Sequence, residues 1–234
     1  MNGVDQQKRA AGRRAAEFVR DGTVVGLGTG STVAFALERL AERVAEGLKV
    51  QGVPTSHQTA IRAKRLGICL TTLDEYPTLD LAIDGADQVD PAFSLVKGRG
   101  AALVREKCVA AVAERFVVAV DASKMVGVLD AMVPVEVIPF AATPVIAALR
   151  RLGCTSAGLR EGSGKDGPVI TDNGNFIIDC AFGIISSPGK LEDTIEDIPG
   201  VLGAGIFSKF SDRTTVIVGE PGGVRILDRP PGRP

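Results

Sequence analysis

Along this chain, short runs rich in Val, Ile and Leu alternate with longer stretches whose apolar residues recur every three or four positions, the pattern of strands and helices taken in turn. TVVGL (Thr23–Leu27), residues 50–55, 69–73 and 81–83, and FVVAV (116–120) read as buried strands. Residues 5–19, a stretch from Ser31 or Thr32 to about Glu46, 58–66 and a segment beginning near Gly100 read as helices, with Gly67 in the C-cap position of the third. This alternation predicts an α/β fold, a Rossmann-like parallel sheet with helices on both faces.

The pattern changes near residue 133. A strand at 134–138, a helix at 143–152, a turn-rich stretch to 167, an apolar run 169–179 broken at 172–175, a helix at 189–198 and a strand at 205–209 predict an inserted α+β (ferredoxin-like) domain. Asp172-Asn173-Gly174-Asn175 is expected to be a hairpin turn. Strands at 214–219 and 224–227 return to the first sheet. The expected division is therefore 1–131 with 208–234, interrupted by 132–207. The tail from Asp228 lacks apolar anchors and reads as disordered.

Composition narrows the class. Of 234 residues, 45% are hydrophobic and 24% charged, which fits a globular protein. A net charge of -1 gives no global positive field for nucleic acid or an anionic membrane, so any anion site is local. The first twenty residues are polar and basic, no stretch of 18 apolar residues occurs, and the expected location is cytoplasmic. Cys69, Cys108, Cys154 and Cys180 are scattered, without a C-x-x-C, and are expected to be buried free thiols. His57 is the only histidine, so a histidine triad or His-rich metal site is ruled out.

The chemistry concentrates between Asp80 and Lys107. Leu81 to Ile83 deliver Asp84-Gly85-Ala86-Asp87 to the carboxyl end of a strand, where open α/β sheets bind ligands. A second run, 93–96, leads into Lys97-Gly98-Arg99-Gly100 and then a helix. Glu106 is expected on the second turn of that helix, leaning back toward the glycine loop, because helical side chains tilt toward the N-terminus. Two acids, a lysine, the loop and Glu106 are thus expected to converge on one small cleft. Upstream, Gly28-Thr29-Gly30-Ser31-Thr32 opens a helix whose unpaired N–H groups suit a phosphate. No G-K-[ST] follows it, and Ser31 stands where G-x-G-x-x-G needs its last glycine. A G-x-G-x-G methyltransferase loop and a purely structural turn are the competing readings. Ser56 and His57 either border this site or serve as caps.

These residues, with PTS (54–56), REK (105–107), DASK (121–124), TDNGN (171–175), and IPGV followed by GIF (198–207), stand in one order from about Val24 to Leu227. The set resembles the type A ribose-5-phosphate isomerase family. That resemblance implies a pentose phosphate pathway enzyme interconverting D-ribose 5-phosphate and D-ribulose 5-phosphate through a cis-enediol. It implies no cofactor and no metal, a small sugar phosphate as substrate, and a homo-oligomer, most simply a dimer. Glu106 would be the base, Lys97 and the following amides would hold the enediolate, and Asp84 would serve ring opening and oxygen-to-oxygen transfer. Substrate contacts would come from Thr29, Gly30, Ser31, Thr32, Gly85, Ala86, Asp87, Gly98, Arg99, Gly100 and Lys124. Lys8 matches a basic family position, and a solvated surface lysine is its plain alternative.

The alternatives are definite. Glu106 could pair with Arg105 or Lys107 on an exposed helix face. Asp84, Asp87 and Asp90 could bind Mg²⁺, which the neighbouring Lys97 opposes. A sugar-phosphate sensor, or a deaminase or lactonase acting on phosphosugars, would use a similar fold. The chain departs from the family's K-G-G-G at Arg99, which requires either a φ below zero there or a reshaped loop.

Overall fold

The computed structural model describes residues 3–164 and 166–228. Two compact units emerge: Met1–Ala86 with Cys108–Met125 and Phe210–Pro234, and Asp87–Lys107 with Val126–Lys209. Periodicity draws a boundary only along the chain, at 131/132, whereas residues 87–107 group by packing with the later segment.

Among the described residues, the first unit is built on a seven-stranded sheet. Its order is Gly223–Asp228, Thr214–Glu220, Ala113–Asp121, Leu79–Asp84, Thr23–Leu27, Val50–Pro54, Cys69–Leu70. Every neighbouring pair is parallel except the hairpin of the first two strands. Strand order reverses between Thr23–Leu27 and Leu79–Asp84, so the topological switch point lies at the carboxyl ends of those two strands. Helices Gly3–Ala16, Ser31–Ala45 and His57–Arg65 bury Ala11, Ala15, Leu37, Leu40 and Ala63 against Val25, Leu27, Ile83 and Val117. Each large aliphatic side chain removed from water there contributes about 1.5–3 kcal/mol. Arg13 donates to both carboxylate oxygens of Glu42 at 2.7 Å and ties the first two helices together. The arginines Arg13 and Arg39 hold the Glu42 carboxyl down at about 2.

In the second unit, a four-stranded antiparallel sheet has the order Val201–Ala204, Val133–Val137, Phe176–Ala181, Ser156–Leu159. With helices Ala142–Arg151 and Pro188–Glu196, the chain runs strand, helix, strand, strand, helix, strand, the ferredoxin-like order. Val135, Val137 and Ile178 meet Val145, Leu149 and Ile195 in its core. A three-stranded sheet of Ile206–Phe207, Leu95–Val96 and Gln88–Val89 completes the unit.

Several local expectations change. The strand expected at 205–209 is only Ile206–Phe207, pairing with Leu95–Val96, because the chain breaks at Gly205 after Val201–Ala204. Gly205 sits so close to its neighbours that a Cβ there would lie 2.3 Å from the Lys97 carbonyl oxygen. The helix expected from near Gly100 begins at Leu103, because Ala101 sits at φ 58° and cannot be a helical residue. Neither Ser31 nor Thr32 caps its helix: the N-cap is Gly30, with no side-chain bond. Ser56 is a true cap, its Oγ accepting the Thr59 N–H. Around the turn at 172–175 only an isolated bridge, Ile170 to Phe176, forms on the incoming side. Cys69 and Cys108 are exposed; Cys154 and Cys180 are the buried thiols, and burial pushes Cys180 far above the usual thiol range. Asp228 ends a paired strand, and the remainder of the tail lies outside the described residues. No helix among the described residues is long and apolar enough to cross a membrane.

Candidate active site

The first unit gathers one group of the expected residues at the switch point. Asp84, the last residue of its strand, is buried, and its Oδ1 accepts the N–H groups of Gly85 at 2.8 Å and Thr29 at 3.3 Å. This pairing requires Gly28, since a Cβ at that position would lie 2.3 Å from the Asp84 carboxyl carbon and 2.7 Å from the Ile83 carbonyl oxygen. The Thr29 hydroxyl lies 2.9 Å from Thr55 Oγ1 and 2.8 Å from Ser56 Oγ, so three short polar side chains lock the turn from behind. Thr59 joins them by donating to the Gly28 carbonyl at 2.8 Å.

The first helical bond after this turn is Ala34 N–H to Gly30 O at 3.0 Å. The amides of Ser31, Thr32 and Val33 therefore precede the helical ladder at the positive end of the helix dipole. A cavity of about 240 Å³ lies there, lined by Gly30, Ser31, Gln58, Thr59, Arg62 and apolar residues of the helix. Gly30 and Ser31 are exposed to it, while Thr32 is buried.

Two basic residues belong to the same unit. Lys124 ends a 3-10 turn that follows strand Ala113–Asp121, with Asp121 as its cap. Lys8 lies on the first helix, and the residue before it, Gln7, accepts the Ala122 N–H at 3.3 Å. Both lysines are half-buried. Gly85 and Ala86 are half-buried beside Asp84.

The second unit gathers the rest. Lys97 Nζ lies 3.2 Å from Glu106 Oε2, with the two side chains only 3% and 5% exposed. Glu106 therefore does not lie on an exposed helix face, and its sequence neighbours are engaged elsewhere. Arg105 donates to Asn173 Oδ1 at 2.7 Å and to the Asp172 carbonyl at 2.8 Å. Lys107 binds Glu192 at 2.6 Å, the Ile206 carbonyl at 2.9 Å, and Glu196. Burial raises the Glu196 carboxyl, but the hydrogen bond and charge of Lys107 outweigh it and leave that group below the ordinary range. Because the helix begins at Leu103, Glu106 stands in its first turn, one turn earlier than expected.

The loop ahead of that helix resolves the departure at Arg99. Gly98 takes φ 104°, whereas Arg99 is not among the residues with positive φ. The strain of the turn falls on glycine and alanine, so arginine is tolerated. The Arg99 side chain is exposed, its N–H donates to Asp87 Oδ2 at 3.2 Å, and Gly100 is exposed beside it. Asp90 does not join the acids: its Oδ1 is held by the N–H groups of Ala92 and Ser94, both at 2.8 Å. Among the described residues no cluster of three His, Cys, Asp or Glu could hold a metal ion.

Several supporting residues carry no local sequence signal. The Phe207 ring lies 5.5 Å from Lys97 Nζ and 4.9 Å from Lys107 Nζ, between two ammonium groups. Glu136 is fully buried, and its Oε1 accepts from Thr171, Asn173 and Asn175, each at 2.9 Å. It thereby fixes the TDNGN turn that holds Arg105, the residue beside Glu106.

Comparison with known proteins agrees with this arrangement. The family model for ribose 5-phosphate isomerase A (phosphoriboisomerase A) matches residues 51–223. The ribose-5-phosphate isomerase A of Methanoregula boonei is 57% identical over 227 residues, covering 97% of this chain and 95% of its own length. That of Thermosynechococcus vestitus is 50% identical, covering 93% and 92%. Among solved structures, a D-ribose-5-phosphate isomerase in complex with phospho-erythronic acid superposes with a TM-score of 0.93 at 45% identity, over 98% of this chain and all of the other. The Methanocaldococcus jannaschii enzyme superposes with a TM-score of 0.90 at 44% identity, over 95% and 98%. This chain belongs to the ribose 5-phosphate isomerase A family.

Proposed function

We propose that this protein interconverts D-ribose 5-phosphate and D-ribulose 5-phosphate, with Glu106 moving the proton between C2 and C1. The observation that carries this is the buried pair of Glu106 and Lys97 at the head of a helix, a carboxylate withdrawn from water and kept beside a cation. A positioned general base of this kind contributes about 10² to 10⁴ in rate.

Each step balances. Asp84, its orientation set by the Thr29 and Gly85 amides, takes the proton from the sugar's O1 hydroxyl and passes it to O4 as the C1–O4 bond breaks, which leaves the open aldehyde and a carboxylate at Asp84. Glu106 then removes the C2 proton, the electron pair forms a C1–C2 double bond, and negative charge collects on O1. Lys97 and the Gly100 amide stabilise that charge without having to reorganise. A proton passes from O2 to O1 by way of Asp84, and Glu106 returns its proton to C1, giving the ketose. The phosphate rests on the amides of Ser31 and Thr32, with the Thr29 hydroxyl bracing the turn from behind and Lys124 and Lys8 supplying positive charge. Asp87, tied to the Arg99 N–H, holds a sugar hydroxyl. No step requires a metal or an organic cofactor.

Purified protein is expected to convert ribose 5-phosphate to ribulose 5-phosphate at an undiminished rate in excess chelator. Absence of ketose, or loss of turnover restored only by a divalent cation, contradicts the proposal. A cytoplasmic homodimer belongs to the same proposal. Exposed Phe140 and Ile184, 96% and 72% accessible, give self-association apolar surface to cover.

A further inference from the structure

We infer that Arg160, seated on Asp179, is a positioning residue that sets the direction of the loop amides after Lys97. It rests on the proposal that this loop stabilises the enediolate. Arg160 follows strand Ser156–Leu159, and Asp179 lies on the adjacent strand Phe176–Ala181. The guanidinium grips Asp179 in a two-point fork, Nε to Oδ2 at 2.8 Å and Nη2 to Oδ1 at 2.5 Å. That leaves Nη1, which donates to two successive loop carbonyls, Gly98 O at 2.9 Å and Arg99 O at 3.0 Å.

The consequence follows from peptide geometry. In a planar trans peptide the C=O and the next N–H point in opposite directions. Drawing the carbonyls of Gly98 and Arg99 toward Arg160 turns the N–H groups of Arg99 and Gly100 the other way. The Arg99 N–H finds Asp87 there, 3.2 Å away.

Gly98 at φ 104° and Ala101 at φ 58° make this an unfavourable loop conformation in isolation, one that the surroundings must hold. The loop's own bond, Ala101 N–H to Gly98 O at 3.0 Å, closes the turn but does not restrain the Arg99 carbonyl. Arg160 is the group that restrains both. Because Asp179 neutralises its charge, the effect is on orientation rather than on the field at the substrate. Lysine cannot substitute, since a single ammonium lacks the fixed fork needed to hold a carboxylate and two carbonyls together.

The test separates orientation from folding. In Arg160→Met, kcat for ribose 5-phosphate is expected to fall roughly 10²-fold, the scale of a small displacement of catalytic groups. KM should stay nearly constant, because the phosphate contacts are untouched. Affinity for phospho-erythronic acid, whose carboxylate places negative charge where the enediolate would carry it, should fall by a similar factor. Affinity for ribitol 5-phosphate, which has no such charge, should not. The double variant Arg160→Met/Asp179→Leu removes the stranded acid. It is expected to recover thermal stability while keeping the full loss in kcat, and a return of kcat with stability would overturn the inference. Equal weakening of both ligands, or wild-type kcat in Arg160→Met, would overturn it too. If the wild-type protein itself fails to isomerise ribose 5-phosphate, it is the proposed function that fails instead.

Discussion

Glu106→Gln is expected to fold and to bind ribose 5-phosphate, yet to turn it over about 10²- to 10⁴-fold more slowly than the wild type. Glutamine keeps the size of the side chain and an oxygen to face Lys97, so the 3.2 Å contact has a neutral successor. It has no basic lone pair able to take a proton from carbon. The loss should therefore appear in kcat, with KM within a few-fold of wild type, because proton abstraction belongs to the transition state alone. Glu106→Asp keeps the charge but withdraws it by one methylene, and should fall between the two. A Glu106→Gln protein with wild-type kcat would remove Glu106 from the mechanism.

Lys97→Met is expected to damage both stability and catalysis. The two side chains are nearly inaccessible, so removing the ammonium strands a carboxylate in the interior, at a cost of about 3–5 kcal/mol. Phe207 would retain the methionine packing and keep the Lys107 ammonium while losing that of Lys97. The rate should fall about 10²- to 10³-fold, the usual result of removing one preorganised donor from a developing oxyanion. The double variant Lys97→Met/Glu106→Gln separates the two effects. With both charges gone, urea denaturation should show much of the lost stability regained, while activity stays at its lowest. If Lys97→Met alone is as stable as wild type in urea, the pair is not the buried ion pair described here.

Much of the first unit was legible in the sequence because parallel strands buried on both faces read as unbroken apolar runs. Thr23–Leu27 falls where TVVGL places it, and Asp84 stands at its strand's carboxyl end. Gly67 closes its helix at φ 77°. What escaped was set by contacts distant along the chain. The late start of the helix that carries Glu106 follows from the left-handed Ala101, which no local pattern announces. Arg160 meets Gly98 across 62 residues, and Glu136 meets Asn175 across 39, and no local periodicity encodes either pair. The cysteines misled for a related reason. Cys69 and Cys108 sit in apolar stretches yet are exposed, because Cys69 lies on the edge strand of the sheet and Cys108 on the outer side of its helix.

The most direct measurement is a crystal structure with phospho-erythronic acid bound, a ligand that a structural relative already accommodates. One Glu106 carboxylate oxygen should lie within about 3.5 Å of the ligand carbons that stand for C1 and C2, the separation of reacting atoms in a near-attack arrangement, with the phosphate on the Ser31 and Thr32 amides. A ligand whose carboxylate faces some other acid, with Glu106 out of reach behind Lys97, would contradict the assignment of the base.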